Sequence, residues 1–424
     1  MQSTQRAVRF AGDVSIDKIR VTARNGFSQD VTPQVIAIQI FEDIFSPFMT
    51  GSLILKESFD LINLIPFAGE EQLELEISTP SLENGNIKSK FYIYKLTDRE
   101  LLGDKNVVYQ LHFISPEAIV DLNKKVSRVF GDKPETIIDY LLKDSVNGLQ
   151  TTKRLITEPS SKIVKFISNF WSPSKTIQFI ADNSVNTNDS PSYLFFENRD
   201  GFNFVSLESL YANKPYQEFT YDKYMRDKRK DGSDTKNVGQ DYKRIQTISI
   251  PIGVDYMDRI RSGFFASKMI SFDLTKKQYN VKPYNMFDTF DGSKHLNEYP
   301  VASEKSIFRT NSTFINYPRA NSTFSGFGDA TNYRNEQKRL SLLKQAESNK
   351  IQVVVPGRCD YTVGQKVNVK LYKIEPVSDK DGDLVDKMFS GNYIIAAINH
   401  YINREGHECN MELIKDSLMM KVGQ

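Results

Sequence analysis

The sequence predicts a mainly β protein with α+β parts: two small antiparallel tube-type β-barrels, an α+β domain, and an inserted domain or arm. Three observations support this prediction. Strand-like alternation of apolar and polar residues recurs near both ends of the chain. Helix-opening Ser-Pro and Pro-Glu pairs cluster between these two regions. A polar stretch rich in aromatic residues interrupts the second half of the chain.

Length and composition limit the class of protein. The chain has 424 residues, of which 25% are charged, and its formal net charge is +2. At roughly 100–200 residues per domain, this length predicts several domains. The balanced charge is untypical of a dedicated nucleic-acid binder. Two cysteines exclude a disulfide scaffold and suit a reducing compartment, and the absence of long apolar runs predicts no membrane anchor.

The first barrel is predicted over residues 1–117. Within 72–77, Leu73, Leu75 and Ile77 share one face, while polar residues occupy the other. That two-residue period is typical of a half-buried strand. Strand patterns fall at 35–40, 53–55, 72–77, 91–96 and 107–113. At least five strands in this length favour a small antiparallel barrel or sandwich.

The α+β domain is predicted over residues 118–214. Ser115-Pro116 is a helix-opening pair, and Ile119, Leu122 and Val126 follow at helical spacing. Further helices are expected to begin at Pro134 and Pro173. Two strands at 192–198 and 201–207 are separated by a sequence typical of a hairpin turn.

The second barrel is predicted from residues 215–258 together with 331–424. A helix is expected at 331–348, and strands at 245–250, 364–371, 391–398 and 409–414. Residues 259–330 form the predicted insertion, which lacks clear periodicity after about position 275. We expect it to be an arm ordered against a partner or subunit, or else a small extra domain. The candidate contact residues are its aromatic side chains, Tyr279, Tyr284, Phe287, Phe290, Phe308, Phe314, Tyr317 and Phe324.

The two ends of the chain share an order of features. In the first, Pro66 and Gly69 precede an alternating strand, and two further strands follow around a charged turn. In the second, Gly364 precedes a similar strand, again followed by two strands around a charged turn. The shared order predicts two related barrels in one chain. Three copies of such a chain would place six similar barrels in a ring.

No catalytic motif rises above background, so the prediction is that the protein is not an enzyme. The chain contains no P-loop, no complete dinucleotide fingerprint, no H-E-x-x-H and no G-x-S-x-G. Adjacent acids such as Glu70-Glu71 are expected by chance in a chain with 53 Asp and Glu residues. No cofactor is expected.

Four residues of the C-terminal region could ligate zinc: Cys359, His400, His407 and Cys409. Their spacing is not that of a compact zinc module, in which cysteine ligands come in close pairs. Cys409 also alternates with core-facing residues, which favours a role as a small buried apolar side chain. The sequence therefore predicts no metal site.

Taken in order, several segments resemble the central baseplate hub protein of T-even-like contractile-tailed bacteriophages. This family is related to the N-terminal part of type VI secretion spike proteins. The matching segments extend over nearly the whole chain, at 41–58, 65–80, 127–144, 172–210, 271–300, 353–371 and 390–417. No spike or lysozyme module is recognisable, which resembles the phage form, where the spike is a separate protein.

The resemblance implies a structural protein of the virion tail baseplate, assembled in the host cytoplasm. It implies a homotrimer whose two barrels per chain form a pseudo-sixfold ring between the sixfold tail tube and the threefold central spike. Expected partners are the spike, the tube or a tube-initiating protein, wedge proteins, and the tape measure protein. Genomic DNA would pass through the lumen without specific binding, and we expect a neutral or acidic lining.

Two charged strands are candidates for the barrel wall and its interfaces. One carries Glu70, Glu71, Glu74 and Glu76, and its counterpart carries Lys366 and Lys370. Opposite charges on their outward faces would attract neighbouring barrels, although simple solvated faces explain the pattern equally well. Two alternative functions stay open: a hexameric tube-like or tube-cap component, and a tail-associated hydrolase using paired carboxylates.

Overall fold

The structure, a computed structural model, describes residues 7–57, 61–65, 67–82, 85–102, 106–221, 238–252, 255–273, 277–303, 313–318, 335–373 and 385–422. Most of its regular structure is β-strand, paired mainly antiparallel. The predicted class, mainly β with α+β parts, is confirmed. Among these residues, no helix has the length and apolar character needed to cross a bilayer.

The five strands predicted in the first part of the chain are present. They are preceded by two strands that were not predicted and interrupted by one helical turn. In order, the elements are β1 (Ser15–Thr22), β2 (Ser28–Asp30), a 3₁₀ turn (Thr32–Gln34), β3 (Val35–Asp43), β4 (Thr50–Glu57), α1 (Leu61–Leu64), β5 (Glu71–Ser78), β6 (Asn86–Leu102) and β7 (Asn106–Ile114).

The next part alternates helices and strands, as predicted. Its elements are α2 (Pro116–Asn123), β8 (Val126–Asp132), α3 (Pro134–Lys143), β9 (Leu155–Thr157), β10 (Val164–Trp171), α4 (Pro173–Asn183), β11 (Tyr193–Asn198), β12 (Gly201–Ser206) and α5 (Leu207–Ala212). One detail was wrong. The first helix ends before Val126, which begins β8, because Lys124 already has an extended backbone, and Leu122 is 76% exposed.

The insertion contains more regular structure than its sequence indicates. It follows β13 (Gln217–Tyr221), α6 (Val238–Asp241) and β14 (Thr247–Ile252). Its elements are α7 (Tyr256–Arg261), β15 (Ala266–Asp273), β16 (Gln278–Asn285), a 3₁₀ turn (Met286–Asp288), β17 (Tyr299–Pro300) and β18 (Thr313–Pro318). Strands β16, β15 and β18 form a separate sheet. Strand β16 escaped detection because its sequence is polar and contains Pro283, which weakens any strand pattern.

The final part contains the predicted helix and strands. They are α8 (Glu336–Ala346), β19 (Asn349–Pro356), β20 (Lys366–Leu371), β21 (Gly391–Asn403), β22 (His407–Lys415) and a short β23 (Ser417–Leu418). Most strands belong to one thirteen-stranded sheet, whose main path runs β14-β19-β22-β21-β3-β4-β7-β6-β5-β1-β2.

Four hydrophobic cores lie within the part of the chain that the structure describes. One contains side chains of β1 and β3–β7, a second those of β19–β22, a third the helices and hairpin after α2, and a fourth the insertion. Representative buried residues of the four cores, in that order, are Leu53 and Leu111, Val353 and Met411, Ile177 and Phe204, and Phe264 and Met286. The domain boundaries given above stay a prediction, which this separation into four cores supports.

Candidate assembly surface

Two sets of five strands pair in the same order. The N-terminal repeat, β3–β7, is arranged as β3-β4-β7-β6-β5, and the C-terminal repeat, β14 with β19–β22, is arranged as β14-β19-β22-β21-β20. Every pairing within both repeats is antiparallel. The order of the strands along the chain is also the same in both repeats. The strands that correspond, in chain order, are β3 and β14, β4 and β19, β5 and β20, β6 and β21, and β7 and β22.

The register of the two repeats agrees as well. Equivalent residue pairs are Leu53–Leu111 and Val353–Met411, Leu73–Phe91 and Val367–Tyr393, and Gln39–Ser52 and Ser249–Gln352. Gly69 and Gly364 each lie two residues before the equivalent strands β5 and β20. Both have a positive φ, 92° and 83°, which glycine adopts without steric cost.

The two repeats are joined edge to edge within the chain. Strand β3 pairs with β4 on one side and with residues 397–403 of β21 on the other. In this joint, Ile38 lies opposite Ile402, and both side chains are fully buried. The joint makes the two repeats parts of one continuous sheet.

Each repeat also has a strand edge that corresponds to one side of this joint. In the single chain, these two edges have no partner strand among the described residues. Among the described strands, β14, the equivalent of β3, pairs only with β19, and residues 95–102 of β6 pair only with β7. Leu101 is the equivalent of Ile402 and is 77% exposed. Leu102 and Ile250, on the same two edges, are also exposed. Open strand edges with exposed apolar side chains are typical of protein interfaces.

The predicted acidic residues already have partners in their own chain. Glu74 contacts Lys18 at 2.9 Å and Lys90 at 3.0 Å, and these two hydrogen bonds lower the pKa of Glu74. Glu76 lies 3.6 Å from Lys88, and Glu70 pairs with Arg24 at 2.5 Å.

Glu71 differs from the other acids because it is buried. Its carboxylate accepts hydrogen bonds from the backbone N–H groups of Ala68 and Gly69, at 2.7 and 3.0 Å. Glu71 therefore stabilises the turn before β5 and is not part of the outward face.

The predicted basic residues are half-buried. Lys366 donates a hydrogen bond from Nζ to the carbonyl oxygen of Tyr211 at 2.7 Å, and burial lowers the pKa of Lys366. Lys370 Nζ lies 5.5 Å from the ring centroid of Tyr372. Attraction between neighbouring barrels through these charged strands stays a prediction.

The predicted aromatic contacts divide into three groups. Phe287 and Phe290 are buried, Phe287 stacking on Phe265 and Phe290 on His295, so both belong to the insertion itself. Tyr284 hydrogen-bonds Thr289 through its hydroxyl, whereas Tyr279 is 71% exposed and available to a partner. Phe314 and Tyr317 lie on β18, and Phe308 and Phe324 lie outside the described residues.

Glu42 connects the joint to two other parts of the chain. This β3 residue is 2% exposed, and it accepts hydrogen bonds from the Thr362 hydroxyl, from the Val363 N–H at 3.1 Å and from the Arg199 N–H at 3.3 Å. Burial raises the pKa of Glu42 to about 7, against an ordinary value of 4.5, although these hydrogen bonds and Arg199 oppose the shift.

We expect Glu42 to make the joint less stable as the pH rises. A carboxyl whose folded pKa is raised stabilises the fold fully below its unfolded pKa of 4.5 and loses that contribution as the pH rises through about 7. Between pH 5 and 8, the free energy of unfolding of wild type should fall by roughly 3 kcal/mol relative to Glu42→Gln. Urea denaturation of both chains across this pH range measures the difference. A constant difference at all pH values would contradict this role.

A second buried cluster lies on the hairpin β21–β22. His400 is directly opposite Cys409, and His407 precedes Cys409 by two residues, so the three side chains share one face of the hairpin. His400 Nδ1 lies 3.0 Å from His407 Nε2, and Cys409 Sγ lies 3.4 and 3.5 Å from these two atoms. All three residues are buried, and Cys359 is not part of this group. Strand pairing thus brings together three potential metal ligands that are separated by up to nine residues along the chain.

No protein-family model matches the chain. A curated relative is the probable baseplate hub protein of Vibrio phage KVP40. It is 21% identical over 421 residues, covering 95% of this chain and 94% of the relative. The resemblance to phage baseplate hub proteins that the sequence indicates is confirmed by this relative.

Two solved structures share the fold. A tail protein from Neisseria meningitidis has a TM-score of 0.57 at 11% identity, with 94% of this chain and 96% of that chain covered. The 43 kDa tail protein of prophage MuSo2 from Shewanella oneidensis has a TM-score of 0.54 at 10% identity, with 95% of this chain and 99% of that chain covered. These similarities extend over nearly the full length of all the proteins compared.

Proposed function

We propose that this chain is a structural baseplate hub protein of a contractile phage tail, located in the baseplate of the virion and assembled in the host cytoplasm. The full-length similarity to the probable hub protein of phage KVP40 supports this proposal. So does the fold shared with two tail proteins, one of them from a prophage. The hub acts through geometry and interface energy, without catalysis.

The observation that carries the proposal further is the repeated joint. Strand β3 of the N-terminal repeat pairs with β21 of the C-terminal repeat, while the equivalent edges on β14 and β6 are open. If β14 of one chain pairs with β6 of the next, every repeat makes the same joint. Three chains then close a ring of six similar repeats. Pro251 has no N–H group and limits this pairing to the residues of β14 that precede it.

Such a ring adapts one symmetry to another. The six repeats present one face to a sixfold tail tube or tube-initiating protein. The α+β domain and the insertion occur once per chain, so the ring carries three copies of each, which suits a threefold central spike. Wedge proteins and the tape measure protein are further partners, and genomic DNA passes through the central lumen without specific binding.

Two alternatives make different predictions. A tube-like or tube-cap component would assemble as a hexamer of chains. A carboxylate hydrolase would need an acid pair in a cleft. The pair Glu70-Glu71 does not suit that chemistry, because Arg24 binds the first carboxylate and two backbone N–H groups bind the second.

A cysteine pair across the proposed joint tests the ring. Within the chain, Gln39 lies opposite Tyr401. Equivalent register places Ser249 of one chain opposite Glu100 of the next. We expect a chain carrying Ser249→Cys and Glu100→Cys to form covalent species of two and three chains on mild oxidation, measured on non-reducing gels.

The matched control is a chain carrying Gln39→Cys and Tyr401→Cys, which should oxidise within one chain and keep the mass of a monomer. The two native cysteines are buried and should not contribute. Each single variant should give no cross-linked product. The ring is contradicted if the control pair oxidises while the Ser249/Glu100 pair remains uncrosslinked under the same conditions.

A further inference from the structure

The three potential ligand atoms of the hairpin cluster form a triangle close in size to that of three ligands around one tetrahedral Zn²⁺ ion. Its edges are 3.0 Å between the two nitrogens, and 3.4 and 3.5 Å from the sulfur to each nitrogen. With Zn–N bonds of about 2.0–2.1 Å and Zn–S bonds of about 2.3 Å, tetrahedral geometry separates two nitrogens by about 3.3 Å, and sulfur from nitrogen by about 3.6 Å. The observed triangle therefore needs shifts of only a few tenths of an ångström.

The chemistry of the three side chains is also that of a zinc site. Two imidazoles and one thiolate are ligands that Zn²⁺ prefers. The other ring nitrogens, His400 Nε2 and His407 Nδ1, face away from the triangle, and both are buried with no hydrogen-bond partner among the described residues.

The cluster lies where a bound ion would hold several parts of the chain together. His400 lies in the joint, opposite Ile40 of β3. The backbone N–H of His407 donates to the carbonyl oxygen of Gly12 at 2.8 Å, and its own carbonyl oxygen accepts from the Gly357 N–H at 2.7 Å. A Cβ atom at position 357 would lie 2.3 Å from the His407 ring, so glycine is required for this packing. The cluster thus connects the N-terminal segment, the end of β19 and the joint.

We propose that His400, His407 and Cys409 form a Zn²⁺ site that stabilises the joint between the two repeats. The ion binds His400 Nδ1, His407 Nε2 and Cys409 Sγ, which occupy three of its four tetrahedral positions. The Cys409 thiol releases its proton to solvent on binding, and the proton between the rings moves to an outer ring nitrogen. This proposal does not depend on the function of the assembled ring.

Cobalt titration of the full-length chain, without a polyhistidine tag and stripped of metal by a chelator, tests the site. Co²⁺ bound to a thiolate gives a charge-transfer band, whereas Co²⁺ bound to surface groups does not. We expect one Co²⁺ per chain with that band, displaced by Zn²⁺. Zn²⁺ at about 100 times its Kd should raise the Tm by roughly 3 °C.

Two cysteine variants sharpen the test. Cys409→Ala should lose the charge-transfer band and bind Co²⁺ more than roughly 100-fold more weakly, because even an outer partner of a metal site contributes about 10- to 100-fold. Cys359→Ala removes the other buried thiol and should keep both the band and the affinity. The titration of the wild-type chain alone decides the question if Cys409→Ala fails to fold. Absence of the band in the wild-type chain, or its loss in Cys359→Ala and not in Cys409→Ala, would overturn the proposal.

Discussion

Leu101→Asp should prevent the proposed trimer from forming. Leu101 is 77% exposed in the single chain, whereas its equivalent in the intact joint, Ile402, is fully buried. Burying a leucine stabilises an interface by about 2 kcal/mol, and the ring contains three such joints. The loss of about 6 kcal/mol corresponds to a roughly 25,000-fold rise in the dissociation constant of a trimer. Because that constant scales with the square of the chain concentration, the concentration at which the trimer forms should rise roughly 150-fold. The added carboxylate would weaken it further, because it would be buried without a partner.

Leu122→Asp is the matched control for this variant. Leu122 is 76% exposed and lies on α2, so it belongs to neither open strand edge, and its substitution should leave the assembly unchanged. Sedimentation over a range of concentrations measures both variants, and circular dichroism checks that each chain is folded. Equal association of Leu101→Asp and wild type, or equal dissociation of both variants, would show that the edge of β6 is not the interface.

Lys153→Met should destabilise the folded chain by about 3–5 kcal/mol. Lys153 Nζ lies 2.7 Å from Glu117 Oε2 and 2.6 Å from Glu197 Oε1. Burial lowers the pKa of Lys153, whereas the nearby carboxylates of Glu197 and Glu117 raise it. The net result is a pKa above the ordinary value. Glu197 is 2% exposed and also accepts the Met49 N–H, so removal of the lysine leaves two carboxylates buried without a cation.

A surface ion pair provides the control for Lys153. Lys143 contacts Asp139 at 2.6 Å, but both side chains are largely exposed, so Lys143→Met should cost less than about 0.5 kcal/mol. The midpoints of urea denaturation compare the two variants. Adding Glu117→Gln and Glu197→Gln to Lys153→Met should recover part of the lost stability. If both lysine variants lower the midpoint equally, the buried network does not stabilise the fold as described.

Much of the fold could be predicted because its signals are local. The alternation of Leu73, Leu75 and Ile77 predicted β5, and proline at positions 116, 134 and 173 predicted three helix starts, all of which are confirmed. The pseudo-repeat was also visible, through Gly69 and Gly364 and the strands that follow them. Such features depend on residues that are neighbours in sequence.

The parts that were missed depend on pairing between distant strands. Leu101 and Leu102 carry no special signal in sequence, and only the equivalence of β6 with β21 identifies them as part of an open joint. His400 and Cys409 are nine residues apart and meet only because β21 and β22 pair in one register. Glu71 was expected on the outward face with Glu74 and Glu76, but it lies on the opposite side of β5 and binds its own turn.

Three chains are proposed to form a closed ring of six repeats. Light scattering of the purified full-length chain mixed with the spike protein of the same virion, with negative-stain images of the complex, tests this arrangement. We expect three hub chains per complex, about three times 48.6 kDa of hub protein, arranged as a ring with a central hole. Six hub chains per ring, or a single hub chain that never closes on the spike, would contradict it.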